Sequence, residues 1–243
     1  MPASPGMGLG TPLRSWSLTS PPAFPMPIVR RPPPTEVPAL QLRIQLNGID
    51  PPIWRRLWVE ESITLGRLHE VLQIVMGWEN CHLHQFITGA TREERIFYTP
   101  PWDDGFEEEE FTARQRDETR VKARTVLPLV GNSITYDYDL GDCWEHTLLL
   151  ERVVVVNPLE QWLPWVLEGC RSAPPEDVGG SGGYADFLRA IASPSHPEHG
   201  AMVEWSGGDF DPERFDRRTV NTALWWWAKA RGRHRRLRPD LLV

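Results

Sequence analysis

The chain of 243 residues has few cysteines, no long apolar run and no overall excess of positive charge. Its three cysteines, Cys81, Cys143 and Cys170, are odd in number, widely spaced and without a CxxC pair. A disulfide framework is therefore not expected, and a reducing cytoplasm fits. No stretch approaches the ~18 consecutive apolar residues of a membrane span, and no apolar segment of roughly 7–15 residues follows the start as in a secretory signal. Lys and Arg number 26 against 33 Asp and Glu, a formal net charge of −7, which argues against a general nucleic-acid binder. Neither HExxH nor GxxxxGK[ST] occurs, which leaves the sequence signal for a metal site weak and argues against a P-loop nucleotide site. There is no internal repeat.

Tryptophan, by contrast, is abundant: 12 residues, most of them inside foldable segments, which points to a real core. Apolar residues at 40% and charged residues at 24% are ordinary for a soluble protein. At roughly 150 residues per domain the length suits one large domain or two small ones. Residues 1–38 hold 11 of the 24 prolines and too little apolar surface to offset their ordering entropy, so they read as a disordered, Pro-rich leader. Pro32-Pro33-Pro34 would suit a proline-recognition domain, although an inert leader is the simpler reading. Residues 229–243 form a basic tail. Lys229, Arg231, Arg233, Arg235, Arg236 and Arg238, offset by Asp240, leave residues 1–228 at −12. Such asymmetry points to phosphate contact with DNA or RNA, or to a solvated helix end. Residues 91–124, with carboxylates from Glu107 to Glu110 followed by Arg114, Arg116, Arg120, Lys122 and Arg124, read as a solvated charged loop.

The middle reads as a single α+β domain over 39–228, with a mixed, mostly antiparallel sheet packed by helices. Leu40, Leu42, Ile44 and Leu46 alternate with polar residues as in a half-buried strand. Asn47-Gly48 and Asp50-Pro51-Pro52 make the turn, and Ile53 to Val59 returns. With Ser62 as N-cap, Leu65, Leu68, Val71, Leu72, Val75 and Met76 recur at helical spacing up to a Gly77 C-cap. Leu83 to Thr88 is the next strand, so the order begins strand, hairpin, strand, helix, strand. Ile134 to Tyr138 and Glu145 to Val156 flank a hairpin turn, Asp139-Leu140-Gly141-Asp142, with Gly141 free to take a positive φ. The β-branched run Val153 to Val156 is expected to be central in the sheet. Tyr184 to Ala192 reads as a short helix, and Pro194 and Pro197 as a rigid loop after it. Asp211-Pro212-Glu213 is expected to start a last helix, with Val220, Ala223, Leu224 and Trp227 on one face.

Several ordered motifs carry a family resemblance. Ile53-Trp54-Arg55-Arg56, His82-Leu83-His84-Gln85-Phe86, Tyr136 to His146, Pro174-Pro175-Glu176-Asp177-Val178-Gly179-Gly180 and Asp209-Phe210-Asp211-Pro212 resemble, in that order, the plasmid pRiA4b ORF-3-like family over about residues 39–224. Some members carry the label of passenger TnpR proteins of the insertion element IS1096. The resemblance implies a compact α+β domain without an assigned biochemical role, and a link to plasmids or mobile elements. The resolvase label finds no support in the residues, because Tyr136, Tyr138 and Tyr184 lie among carboxylates that would repel a scissile phosphate. Members often carry Cys before or within the Pro-Pro-Glu-Asp motif. Here Ala173 and Val178 stand in those places, with Cys170 earlier, which argues against a thiolate metal site in that loop.

The most suggestive chemical constellation joins His82, His84, Asp139, Asp142, His146, Glu176 and Asp177. His82 and His84 share a strand face, and imidazole with carboxylate suits a divalent metal such as Zn, Mn or Fe. His82, His84, Asp139 and His146 are the metal candidates, and His84, Asp139, Asp142, His146, Glu176 and Asp177 the catalytic ones. The simpler alternative has Asp139 and Asp142 capping turn amides and His146 bonding a carbonyl. His196 and His199 are a second possible pair. Gly179 to Gly183 either offers amides to a phosphate or serves close packing, and the cysteines read as small buried hydrophobes. Consecutive Trp225-Trp226-Trp227 cannot all face one core at ~100° per residue, so Trp225 and Trp226 are candidates for a protein partner or a homo-oligomer contact. Two functions follow. One is a non-enzymatic accessory protein that contacts nucleic acid through Lys229, Arg231, Arg233, Arg235, Arg236 and Arg238. The other is a metal-assisted hydrolase, which expects His84, Asp139 and His146 to converge.

Overall fold

Alternation in the first foldable segment produces the central strand of the molecule. In the computed structural model, which describes residues 36–101 and 114–231, β1 (Val37–Leu46) buries Leu40, Leu42, Ile44 and Leu46 on one face. It pairs antiparallel with β2 (Trp54–Glu60) across the expected turn. Helix α1 (Leu65–Met76) follows and lays Leu68, Val71, Leu72 and Val75 on that face. Its C-cap Gly77 adopts φ 81, and the Gly77 N–H donates to the Gln73 carbonyl. A Cβ there would meet nothing within 4 Å, so backbone conformation rather than space requires the glycine. The N-cap is Thr64, not Ser62, and it makes no side-chain cap bond. Instead the Leu65 N–H donates to the Val121 carbonyl (2.8 Å), so a neighbouring segment satisfies the helix start.

After β3 (His84–Thr88) and β4 (Ile96–Thr99) come β5 (Gln115–Asp117), a 3-10 turn (Glu118–Arg120) and α2 (Ala123–Val126). The stretch read as one solvated charged loop therefore contributes two strands and a helical turn, and its Glu118 is buried. Glu107 to Glu110 lie outside the described residues. β6 (Ser133–Tyr138) and β7 (Trp144–Val156) form the second expected hairpin, and β8 (Trp165–Cys170) closes the sheet. The order is β5-β4-β3-β6-β7-β1-β2-β8, antiparallel except for β4 with β5. The protein is thus an α+β fold built on one eight-stranded sheet among the described residues.

At the second hairpin the positive φ values fall on Asp139 (54) and Cys143 (57), not on Gly141. Asp139 tolerates this because its Oδ1 accepts from the N–H groups of Gly141 and Asp142, an Asx turn. The valine run of β7 is not central. β6 pairs with Trp144 to Leu149 only, so Val153 to Val156 overhang it and pair with β1 alone, leaving Val153 and Val155 exposed.

Three more helices complete the chain: α3 (Gly180–Ala192), α4 (His199–Trp205) and α5 (Arg217–Ala230). α4 replaces part of the expected rigid loop, because the His199 ring binds the Ala190 carbonyl at 2.9 Å and turns the chain back into a helix. α5 starts five residues after the expected position, with Asp216 rather than Asp211 as its cap. Asp211 caps only the Glu213 N–H, whereas Asp216 accepts from the N–H groups of Arg218 and Thr219. Its buried face is Asn221, Leu224, Trp225, Trp227 and Ala228, and Ala223 is exposed. The core joins α1, α3 and α5 to one sheet face, while the other face carries Gln41, Arg43, Trp54 and Arg56. No helix among the described residues is long and apolar enough to cross a membrane.

Candidate functional site

A cavity of about 850 Å³ opens where α1, the start of β3 and the 3-10 turn meet, with His69, Asn80, His82, His84 and Glu118 in its wall. β3 places His84 inward beside α1. The Glu118 carboxylate accepts from its Nε2, at 3.1 and 3.0 Å to the two oxygens. Gly66 makes room for that carboxylate, since a Cβ there would sit 3.1 Å from Glu118 Oε1. The His84 ring stacks on His69 with centroids 3.4 Å apart and planes 1° from parallel. His69 is held at both nitrogens. Asn80 Oδ1, an acceptor, lies 2.6 Å from Nε2, which leaves Nδ1 to accept from the Tyr136 hydroxyl at 2.7 Å. Gln73 Nε2 donates to that same hydroxyl (3.0 Å), and Gln73 Oε1 accepts from the Asn80 N–H. Burial, with a smaller effect of His84, lowers the His69 pKa to about 3, so this imidazole stays neutral. Burial also pushes the Tyr136 phenol well up. His84, in contrast, uses one nitrogen only, and among the described residues nothing hydrogen-bonds its Nδ1.

Next to the cavity, two loops converge on His82 and its own segment. Asp139 comes from the β6–β7 turn, Glu176 and Asp177 from the segment before α3, and Cys81 from the segment before β3. His82 Nε2 lies 3.2 Å from Asp177 Oδ1 and 3.7 Å from both Asp139 Oδ2 and Glu176 Oε2. The loop bearing Glu176 is anchored from two sides. Trp78 Nε1 donates to the Pro174 carbonyl (2.9 Å), and Glu176 Oε1 accepts from the Glu79 N–H and the Tyr138 hydroxyl. Burial and this carboxylate push the Tyr138 phenol up.

The motifs quoted for the resemblance thus supply most of this region: His82 and His84, Asp139, and Glu176 with Asp177. The family model of the plasmid pRiA4b ORF-3-like protein matches residues 38–219. The chain belongs to this family. It is 36% identical over 187 residues to the uncharacterized protein y4hQ of Sinorhizobium fredii (strain NBRC 101917 / NGR234), covering 76% of this chain and 90% of that one. It is also similar to the crystal structure of a protein of unknown function, MM3350, from Methanosarcina mazei Go1. There the TM-score is 0.66 at 32% identity, over 75% of this chain and 97% of the other.

In this member of the pRiA4b ORF-3-like family, the other expected site residues fall elsewhere. His146 is fully buried on β7, its Nδ1 is 3.2 Å from the Tyr136 carbonyl, and burial lowers its pKa to about 4. It flanks Tyr136 and Trp78 and shares no ligand cluster with His82, so His84, Asp139 and His146 do not converge on one point. Asp142 Oδ2 accepts from the Gly179 N–H, and its carbonyl would be 2.8 Å from a Cβ on Gly180. Both the carboxylate and the glycines therefore clamp the hairpin to the start of α3. All three cysteines are exposed rather than buried. Trp225 is buried, while Trp226 is half-exposed with Lys229 Nζ 4.6 Å from its ring. Arg231 pairs with Glu70, and Arg233, Arg235, Arg236 and Arg238 lie outside the described residues. His69 and Glu118 were not among the expected site residues. His69 was legible as a polar break in the apolar stripe of α1, but Glu118 was masked by its charged surroundings.

Proposed function

We propose that the protein is a hydrolase acting on a small ester held in the cavity beside His84. One observation carries the reading: of two stacked imidazoles in the cavity wall, one is locked at both nitrogens and the other is anchored by Glu118 with Nδ1 unengaged. A carboxylate that accepts from Nε2–H fixes the tautomer in which Nδ1 takes a proton, the arrangement that general-base catalysis requires. Water loses its proton to His84 Nδ1 while its oxygen bonds to the acyl or phosphoryl centre. The ester bond breaks, and the proton returns to the departing oxygen. The test is turnover of 4-nitrophenyl acetate and 4-nitrophenyl phosphate by the full chain. The expectation is turnover that falls ~100-fold or more in His84→Gln, with circular dichroism unchanged. Turnover of neither ester, or equal rates in the variant, would overturn it.

The alternative, a non-enzymatic accessory protein associated with a mobile element, is favoured by Trp226 and Lys229. An exposed indole with a cation above it suits stacking on a base or a protein contact. This reading expects binding to single-stranded DNA that weakens with salt and is lost when 229–243 is removed. Equal binding by the truncated chain would refute it.

A further inference from the structure

We infer that His82, Asp139, Glu176 and Asp177, with Cys81 beside them, form a binding site for one divalent transition ion of the zinc type. The site adjoins the cavity proposed for ester hydrolysis and deepens that reading, yet its evidence is separate. In two overlapping groups, Cys81–His82–Glu176 and His82–Asp139–Asp177, all donor atoms lie within 4.8 Å of one another.

The cluster is more than a gathering of acidic side chains. His82 Nε2 and Glu176 Oε2 are buried atoms without a hydrogen-bond partner, and even the 3.2 Å approach of Asp177 is not aligned as a hydrogen bond. The Asp139 side chain is nine-tenths buried, with 10% exposure. Its Oδ1 serves the turn amides, while Oδ2 faces His82 and accepts no hydrogen bond among the described residues. Buried polar atoms are ordinarily satisfied. Two that meet beside the Asp139 and Asp177 carboxylates without bonding one another have the disposition of ligands. His82 Nε2 stands 3.2–3.7 Å from an oxygen of each carboxylate, close to the ~3.3 Å between two ligand atoms ~2.0–2.1 Å from a tetrahedral zinc.

The donor set selects the ion. One imidazole, carboxylates and a thiol match zinc or ferrous iron better than calcium or magnesium, which take oxygen alone. Three carboxylates around one imidazole also repel one another, and a dication removes that repulsion. The protein atoms around the ligands hold them in place. Asp139 is fixed by its turn, and Glu176 by the Glu79 N–H and the Tyr138 hydroxyl. Because His82 also lines the cavity, an ion here would stand where a water molecule or an ester oxygen can reach it.

The experiment is zinc titration of the full chain, purified without an affinity tag or chelator, by calorimetry and plasma mass spectrometry. One equivalent is expected, with affinity lowered at least 10-fold in His82→Ala and Asp139→Asn and unchanged in His146→Ala. Asp177→Asn alters an exposed side chain and keeps the fold testable if the other variants fail. Cobalt(II) would add a thiolate charge-transfer band that disappears in Cys81→Ala. Zinc binding that is absent, or equal in wild type, His82→Ala and Asp177→Asn, would overturn the site. The two proposals fail separately. Zinc bound at His82 without ester turnover leaves the ion and removes the hydrolase, whereas ester turnover by a protein that binds no zinc in the titration does the opposite.

Discussion

Two histidines of this protein stay neutral for the same physical reason and in different places. His69 and His146 are both buried, and burial lowers their pKa values from 6.5 to about 3 and about 4. The unfolded chain protonates both below about pH 6.5, while the folded chain resists. Unfolding therefore takes up protons, and stability falls as pH drops from 6.5 toward the folded values. Between about pH 6 and pH 5, above the range in which most carboxylates titrate, the expected slope is on the order of 2–3 kcal/mol per pH unit. Urea melts at several pH values measure it, and His146→Gln should reduce the slope by about half. A flat profile would mean that these rings are solvated. His84 differs from His69 in its partners: the Glu118 carboxylate holds its Nε2, whereas Asn80 and the Tyr136 hydroxyl hold both nitrogens of His69.

At the scale of elements, side chains of one segment satisfy the backbone of another. Asn221 of α5 guards the edge strand β8: its Nδ2 donates to the Val166 carbonyl (2.9 Å), and its Oδ1 accepts from the Val166 N–H (2.8 Å). Asn221→Leu should cost about 2–4 kcal/mol by leaving both groups unpaired, read as a shift in the denaturation midpoint at unchanged m-value. Arg55 does similar work from β2, donating to carbonyls of Val75 and Cys170 with its guanidinium 4.1 Å from the Phe215 ring. Even so buried, with its pKa lowered to about 10, it remains a cation at neutral pH. The α3 start is the tightest joint. A Cβ on Gly183 would lie 2.0 Å from the Val178 carbonyl oxygen, so Gly183→Ala must push away the segment bearing Glu176 and Asp177. A loss of about 1–3 kcal/mol is expected, together with weakened zinc binding. A variant that melts like wild type would show that the loop yields freely.

For the whole molecule, the metal site and the fold should be linked. The ligands come from the segment before β3, the β6–β7 turn and the segment before α3, none of which the unfolded chain holds together. Zinc at 100 times its dissociation constant should stabilise the native state by about 2.7 kcal/mol, seen as a rise in melting temperature. The rise should vanish in His82→Ala and persist in His146→Ala. Loss of the rise in His146→Ala as well would place the ion elsewhere in the core.

Much of the architecture was determined locally. Alternation in β1, the helical stripe of α1 with Gly77 after it, and the turn before β7 each follow from neighbours a few residues apart, so period and turn chemistry suffice to read them. The His82–Asp139–Glu176–Asp177 grouping was partly visible too, because every member belongs to a motif rich in ligand types. What no local pattern carries is which of several histidines meets which carboxylate. Strand β3 turns His84 toward α1 while His82 meets the two loops, and β7 buries His146 in the core. Glu118, in a stretch that reads as solvated, becomes buried because the 3-10 turn docks on α1 at Gly66. Likewise the valines of β7 are open because β6 is short, and Trp225 is covered while Trp226 is not. Those outcomes depend on pairing partners tens of residues distant, and only tertiary packing decides them.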